Sequence, residues 1–345
     1  MPGVERDGAA ERLRRQQLTD RLPRTPVDVV RHLLAVQAQD LTGARLAVRA
    51  RSTGLLAADV DAALDARELV VSWLNRGTLH LVAAEDYGWL HELTAPRTRT
   101  ANRRRLEQEG VSPAQAERGV TEILQAIERD GPQKRAQLRA VLDYAGVPTA
   151  RQALVHVIGA AGLAGHIVRG PVVGGEQAFV TVPDWLGAPE VPDREEALAR
   201  LATRYLTGHA PATDADLAAW AGISLGDARR GLAASGAAEP GDVEPCGQHG
   251  RWPDPVLLGP FDPVLHGWPD REWVLGGHRG VITVNGIFRP TALVSGRVVG
   301  TWKRGRGTVD LDLLEPVTEA DRRVLEADGH DVTRFLGISS GHGAR

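Results

Sequence analysis

The sequence predicts an α+β fold: three tandem helical units of winged-helix type, the first two closing on a strand pair, and then a β-rich C-terminal domain. Three observations predict it. Apolar residues first recur at helical spacing, then at 68–82 change to two continuous apolar runs about a polar turn. The order of helices followed by a strand pair returns further along the chain. From Pro253 onward short β-branched runs replace the helical pattern.

Residues 10–22 form a short helix, which Pro23 and Pro26 punctuate. Thr25 caps a second helix with Pro26 at its first position, and Val27, Val30, Leu33, Leu34 and Gln37 fall on one stripe. Leu41-Thr42-Gly43 reads as a break before helices at 44–51 and 57–66. Leu69–Leu74 and Leu79–Val82 are strands joined through Asn75 and Gly77. Helices at 119–128, 134–144 and 149–161, then strands at 167–169 and 178–182, repeat the order. A third round places helices at 195–206, 214–221 and 225–233, the last two capped by Thr213 and Ser224 and separated by Gly222 as a helix-turn-helix. Three helices and a hairpin are the winged-helix order. The sequence thus divides into winged helices at 1–115, 116–190 and 191–252, alike in element order rather than in residues. In 253–345, strands at 273–275, 281–284, 291–294, 298–302 and 308–313, a Ser295-Gly296 hairpin turn and a last helix at 319–327 make a small barrel or sheet.

A chain of 345 residues suits about two average domains or three to four small ones. No stretch of about 18 uncharged apolar residues occurs, which excludes a transmembrane helix. The first twenty residues are polar and arginine-rich without an apolar signal core, so the expected location is the cytoplasm. A single cysteine, Cys246, excludes an intramolecular disulfide and a cysteine-rich zinc module. With 41 basic and 44 acidic residues, global charge does not call for a polyanion. Lys134 and Lys303 are the only lysines, a usage that fits the Ala-, Gly- and Arg-rich composition. One cluster stands apart: Arg97, Arg99, Arg103, Arg104 and Arg105, with no acid between Leu93 and Leu106. It is either a solvated helix face or a polyanion contact.

The histidines show no metal-ligand spacing, no phosphate-binding loop occurs, and the G-x-S-x-G nucleophile elbow is read as absent. Three motifs remain. In Gln37-Ala38-Gln39, positions i and i+2 diverge by about 200° on a helix but share a face in extended chain. The two amides therefore converge only if the preceding helix ends by about Gln37; otherwise they are solvated residues at a helix end. In a strand, Arg76, Thr78 and His80 line one side and Leu79 and Leu81 the other, a polar surface or an ordinary half-buried wing. Leu257–Trp268, which holds Gly259-Pro260-Phe261-Asp262 and His266, is an apolar, turn-rich stretch with one isolated acid, which also suits a domain junction with a capping aspartate.

These motifs, Gln37-Ala38-Gln39, Arg76–Val82, Gly259-Pro260-Phe261-Asp262 and Gly300-Thr301-Trp302-Lys303-Arg304, resemble those of the bacterial winged-helix DNA glycosylases of the AlkZ/YcaQ type, in the same order across about residues 10–340. The resemblance implies three winged helices and a C-terminal β-domain around a concave DNA channel. The family's catalytic motif is Gln-apolar-Gln in the AlkZ branch and Gln-apolar-Asp in the YcaQ branch, and Gln37 and Gln39 match the former. It further implies removal of N-alkylated purines, including adducts or interstrand crosslinks from genotoxic natural products, as self-resistance of a producer. Arg76, Thr78, His80 and Asp262 become supporting residues, and Arg97, Arg99, Arg103, Arg104 and Arg105 phosphate contacts. The partner would be double-stranded DNA containing alkylated purines, bound by a monomer with no membrane and no protein partner.

The chemistry is consistent with this. An amide is too weak a base to deprotonate water, but it can orient one by accepting and donating hydrogen bonds. That suffices when the leaving group is already activated, as in a cationic N7- or N3-alkylpurine. Fixed amide oxygens near C1′ stabilise the oxocarbenium charge that develops as the bond breaks. Such a site needs no metal and no cofactor. It also predicts a monofunctional enzyme, because neither lysine lies near the motif in sequence. The alternatives are a non-catalytic winged-helix DNA-binding protein or regulator, and a resistance protein that sequesters the drug.

Overall fold

The computed structural model describes residues 3–236, 252–305 and 307–338. Helix α1 (Gly3–Arg15) lies earlier in the chain than expected. α2 (Pro26–Leu33) begins at Thr25, whose hydroxyl accepts from the Asp28 amide, with Pro26 just inside. α2 ends at Leu33, so Gln37 is not on its stripe; the buried side is Pro26, Val29, Val30 and Leu33. A two-residue strand, β1 (Val36–Gln37), follows. Leu41-Thr42-Gly43 is the first turn of α3 (Leu41–Ala50), not a break, because Asp40 caps it by accepting from the Thr42 amide. α4 (Ala57–Asp65) leads into β2 (Leu69–Leu74) and β3 (Thr78–Ala83), joined by a 3-10 turn over Asn75–Gly77.

The arginine cluster lies on α5 (Ala84–Gln108), a 25-residue helix that the sequence reading leaves unassigned. α6 (Pro113–Asp130), α7 (Arg135–Tyr144) and α8 (Ala153–Leu163) precede the pair β4 (Ile167–Val173) and β5 (Glu176–Thr181). After α9 (Val182–Leu186) come α10 (Arg194–His209), α11 (Asp214–Ala221) and α12 (Leu225–Ala234). Gly222, at φ 72°, makes the left-handed turn between the last two. The remainder of the expected third unit, 237–251, which includes Cys246, lies outside the described residues.

Both strand pairs of the first two units merge into one antiparallel sheet of order β1-β3-β2-β4-β5. Every residue of β2, Leu-Val-Val-Ser-Trp-Leu, is buried, so helices cover both of its faces. That is why its sequence is a continuous apolar run rather than an alternating one. Val71, Trp73, Leu79 and Leu81 pack into one core with α2, α4, α6, α7 and α8 residues, while Val70, Leu74 and Val82 pack into the other with α5 and α10 residues. Gly162 lets α8 close on Trp73: a Cβ there would sit 2.4 Å from the indole.

The C-terminal part holds β6 (Val256–Leu258), β7 (Thr291–Val294), β8 (Arg297–Arg304) and β9 (Val309–Leu313), in order β6-β7-β8-β9. It is an open sheet and not a closed barrel. Two expected strands are not strands. Trp273-Val274-Leu275 belongs to α14 (Glu272–Leu275), after α13 (Pro263–His266), and Val281–Val284 is a 3-10 turn and a loop closed by an Ile282–Phe288 bridge. Trp273, Val274, Leu275 and Val281 are buried as packing groups while Val284 is exposed, and periodicity over three or four residues does not distinguish such a stretch from a strand. α15 (Glu319–Phe335) runs well past the expected end at 327 and binds α3: Arg49, 1% exposed, donates to Asp328 and, at 2.9 Å, to Asp331. No helix of the described residues is long and apolar enough to cross a membrane.

Candidate functional site

Leu34 adopts φ 67° directly after α2, a left-handed conformation that costs energy for a branched residue, and it is fully buried. This reversal takes the chain out of the helix and into β1. Gln37 then pairs with His80 and Val36 with Leu81 along β3, and the Ala38 amide donates to the Leu79 carbonyl at 2.7 Å. The segment is extended where convergence of the two amides requires it. Gln37 Nε2 donates to Gln39 Oε1 at 2.7 Å. Gln37 is 6% exposed, whereas Gln39 faces solvent. Their shared bond leaves Gln37 Oε1 to accept and the Gln39 amide nitrogen to donate.

His80 stands opposite Gln37 on the same face of the sheet. Its Nδ1 donates to the Thr78 carbonyl at 3.0 Å. Burial, reinforced by the charge of Arg76, pushes its pKa down to about 3. His80 is a neutral imidazole whose remaining nitrogen, Nε2, is an acceptor. The half-buried Thr78 hydroxyl donates to the Asn75 carbonyl at 3.4 Å. Arg76 takes the left-handed φ of 53° and donates from Nη1 to the carbonyls of Ala219 (3.3 Å) and Trp220, at the end of α11. The β2–β3 turn also rests on α5, where a Cβ on Gly77 would be 2.4 Å from Thr98. The arginine-bearing stretch of α5 thus abuts the turn that carries Arg76. Within that stretch, Arg97, Arg103 and Arg104 are exposed with no ion-pair partner among the described residues. Arg99 instead donates to the Leu163 carbonyl, and Arg105 pairs with Glu109 at 3.4 Å.

The third motif reaches the same place. Pro260 packs against Gly43, in the first turn of α3, and Gly259 against Leu46. Asp262 is fully buried; Arg51, also fully buried, donates to its two oxygens at 2.8 and 3.0 Å, and the Val264 amide donates to it at 3.0 Å. Asp262 thereby caps α13 and joins that helix to the residue after α3, which is its structural work. Phe261, at φ 60°, turns the chain beside it. Phe261 and Phe288 flank His266, at 5.9 and 4.0 Å between ring centroids, and Arg271 lies 5.5 Å from the centre of Phe288. Burial, with the charges of Arg76 and Arg271, holds the His266 pKa well below its ordinary value. Sequence reasoning gave His266 no role and missed Arg271 and Phe288. His266 lies five residues after Phe261, a spacing that carries no signal unless the turn at Phe261 is known.

Gly222-Ile223-Ser224-Leu225-Gly226 does have the G-x-S-x-G spacing, which corrects the reading of that pattern as absent. Ser224 is nevertheless the cap of α12: it accepts from the Asp227 amide at 3.0 Å and donates to the Asp227 carboxylate at 2.8 Å. It follows a helix rather than a strand, unlike a nucleophile elbow. Among the described residues, no group of three or more His, Cys, Asp and Glu side chains could hold a metal ion.

Comparison with known proteins agrees with this layout. The family described as "DNA glycosylase AlkZ-like" matches residues 30–335. A protein of Streptomyces sahachiroi named "Interstrand DNA cross-link repair glycosylase" is 26% identical over 366 aligned positions, covering 96% of each chain. The solved structure "Streptomyces sahachiroi DNA glycosylase AlkZ" superposes with a TM-score of 0.78 at 24% identity, covering 97% of each chain, a likeness of fold.

Proposed function

The chain belongs to the AlkZ-like DNA glycosylase family, and from that premise we propose that it hydrolyses the N-glycosidic bond of cationic N-alkylated purines in duplex DNA. The observation that carries the proposal is the Gln37–Gln39 hydrogen bond on an extended segment opposite a neutral His80. Gln37 Oε1 accepts a hydrogen bond from the attacking water, and the Gln39 amide donates one to the water oxygen or to the sugar. As the bond between C1′ and the purine nitrogen breaks, its electron pair neutralises the cationic base, and positive charge gathers on the sugar near the amide oxygen. Water then adds to C1′ and loses its proton to solvent. Arg76, Thr78 and His80 build the wall behind the pair, and the three helical units act as winged helices that seat the duplex. Arg97, Arg103 and Arg104 supply phosphate contacts from α5.

The similarity to a crosslink-repair glycosylase supports bulky adducts and interstrand crosslinks as substrates. The test is single-turnover excision from three duplexes, carrying 7-methylguanine, hypoxanthine, or a crosslink between N7 positions. Release of 7-methylguanine and unhooking of the crosslink, with hypoxanthine untouched, is the expected pattern. Equal release of hypoxanthine would remove the requirement for a cationic leaving group.

A further inference from the structure

Two guanidinium groups, one in the turn before β3 and one after α13, are held by backbone carbonyls and by no carboxylate. Arg76 donates to Ala219 and Trp220. Arg271 donates from Nε to the Leu265 carbonyl at 2.6 Å and from Nη1 to the Pro269 carbonyl at 3.2 Å. Neither has an ion-pair partner among the described residues; the charge of Asp270 acts on Arg271 from a distance, and its carboxylate accepts from the Glu272 amide at 2.9 Å. Carbonyl tethers fix a guanidinium without neutralising it, and each arrangement leaves Nη2 uncommitted. The two positive charges act on each other and on His266. His266 Nε2 is itself buried with no hydrogen-bond partner. Two like charges that act on each other and on an unpartnered nitrogen favour an anion between them. The anion that a DNA enzyme brings to this position is a backbone phosphate, which a planar guanidinium fits well.

We propose that Arg76 and Arg271 clamp one phosphodiester of the lesion strand beside Gln37 and Gln39, with His266 Nε2–H donating to the same phosphate. The clamp fixes the sugar that carries the lesion relative to the amides. It unites a residue of the β2–β3 turn with two from the Phe261–Phe288 region, so the site is complete only when the second and third motifs are joined. This assignment rests on the glycosylase reading for the identity of its ligand, but its test does not depend on catalysis.

The test uses duplexes with a cleavage-resistant 2′-fluoro-7-methylguanosine and a single neutral methylphosphonate at each flanking position in turn. Kd is measured for the wild type, Arg271→Gln and Arg76→Gln. At one position the methylphosphonate weakens wild-type binding, and its effect does not add to that of either substitution. Arg271→Gln also lowers the slope of log K against log salt by about 0.9. Additive effects at every position, or an unchanged salt slope in Arg271→Gln, would overturn the clamp. Arg271 is only part-buried, so its variant remains informative if Arg76→Gln does not fold. Loss of base release from natural substrate with this coupling intact would refute the hydrolytic reading and leave the clamp standing.

Discussion

The carbonyl oxygen of Pro260 lies 2.4 Å from where a Cβ on Gly43 would be. Gly43 is in the turn of α3 that follows Gln37-Ala38-Gln39, and Pro260 immediately precedes Phe261, so this contact sets the separation between the glutamine pair and the His266 cluster. Gly43→Ala cannot be accommodated by rotating a side chain, because the obstacle is backbone. A loss of about 1–3 kcal/mol is expected in urea unfolding, with base release falling further than the folded fraction does. A variant with wild-type stability and rate would show that the two motifs are not spaced through this contact.

Asp262 acts on stability. Removing its carboxylate leaves the Arg51 guanidinium buried without its ion-pair partner, so Asp262→Ala costs about 3–5 kcal/mol. Thermal unfolding measures the loss. Under conditions where the variant is folded, its rate of base release stays near that of the wild type.

The buried histidines set an acid limit. His80 and His209 both have pKa values pushed down to about 3, chiefly by burial. In the unfolded chain each returns toward about 6.5 and binds a proton first. Their contribution to stability is therefore complete above pH 6.5 and declines as pH falls toward 3. His209 stacks on Tyr205 at 4.6 Å, where a phenyl ring fits without a charge to bury. His209→Phe should flatten the fall in unfolding free energy between pH 7.5 and 5; an unchanged slope would place the acid sensitivity elsewhere.

The α5 arginines separate by environment. Arg97→Gln, Arg103→Gln and Arg104→Gln should each weaken binding to damaged and undamaged duplex alike and lower the salt slope by up to about 0.9. Arg99→Gln, which loses the bond to Leu163, should lower stability more than affinity. A uniform effect across all four would mean that the helix, rather than particular guanidiniums, makes the contact.

Much of this arrangement was legible in the chain. Thr25-Pro26, Thr213 and Ser224 mark helix starts through local chemistry that tertiary packing does not override, and β2 and β3 followed from apolar runs about a polar turn. The condition that the helix end before Gln37 was likewise readable, because i and i+2 side chains converge only in extended chain. What ends that helix was not readable: Leu34 carries a left-handed φ that nothing in a leucine announces. The short helix at Trp273 and the loop at Val281 failed for a related reason, since burial from several directions makes short apolar stretches independent of secondary structure. The partners of Arg76, at positions 219 and 220, and of Asp262, at position 51, depend on contacts between residues 143 to 211 positions apart.

The central claim is that Gln37 and Gln39 together hold the hydrolytic water. Its most direct test is release of 7-methylguanine from duplex DNA by the wild type and by Gln37→Ala/Gln39→Ala, with folding and DNA affinity measured for both. The account predicts release by the wild type and none by the double variant, which still folds and binds DNA. Base release that persists in the folded double variant would contradict it.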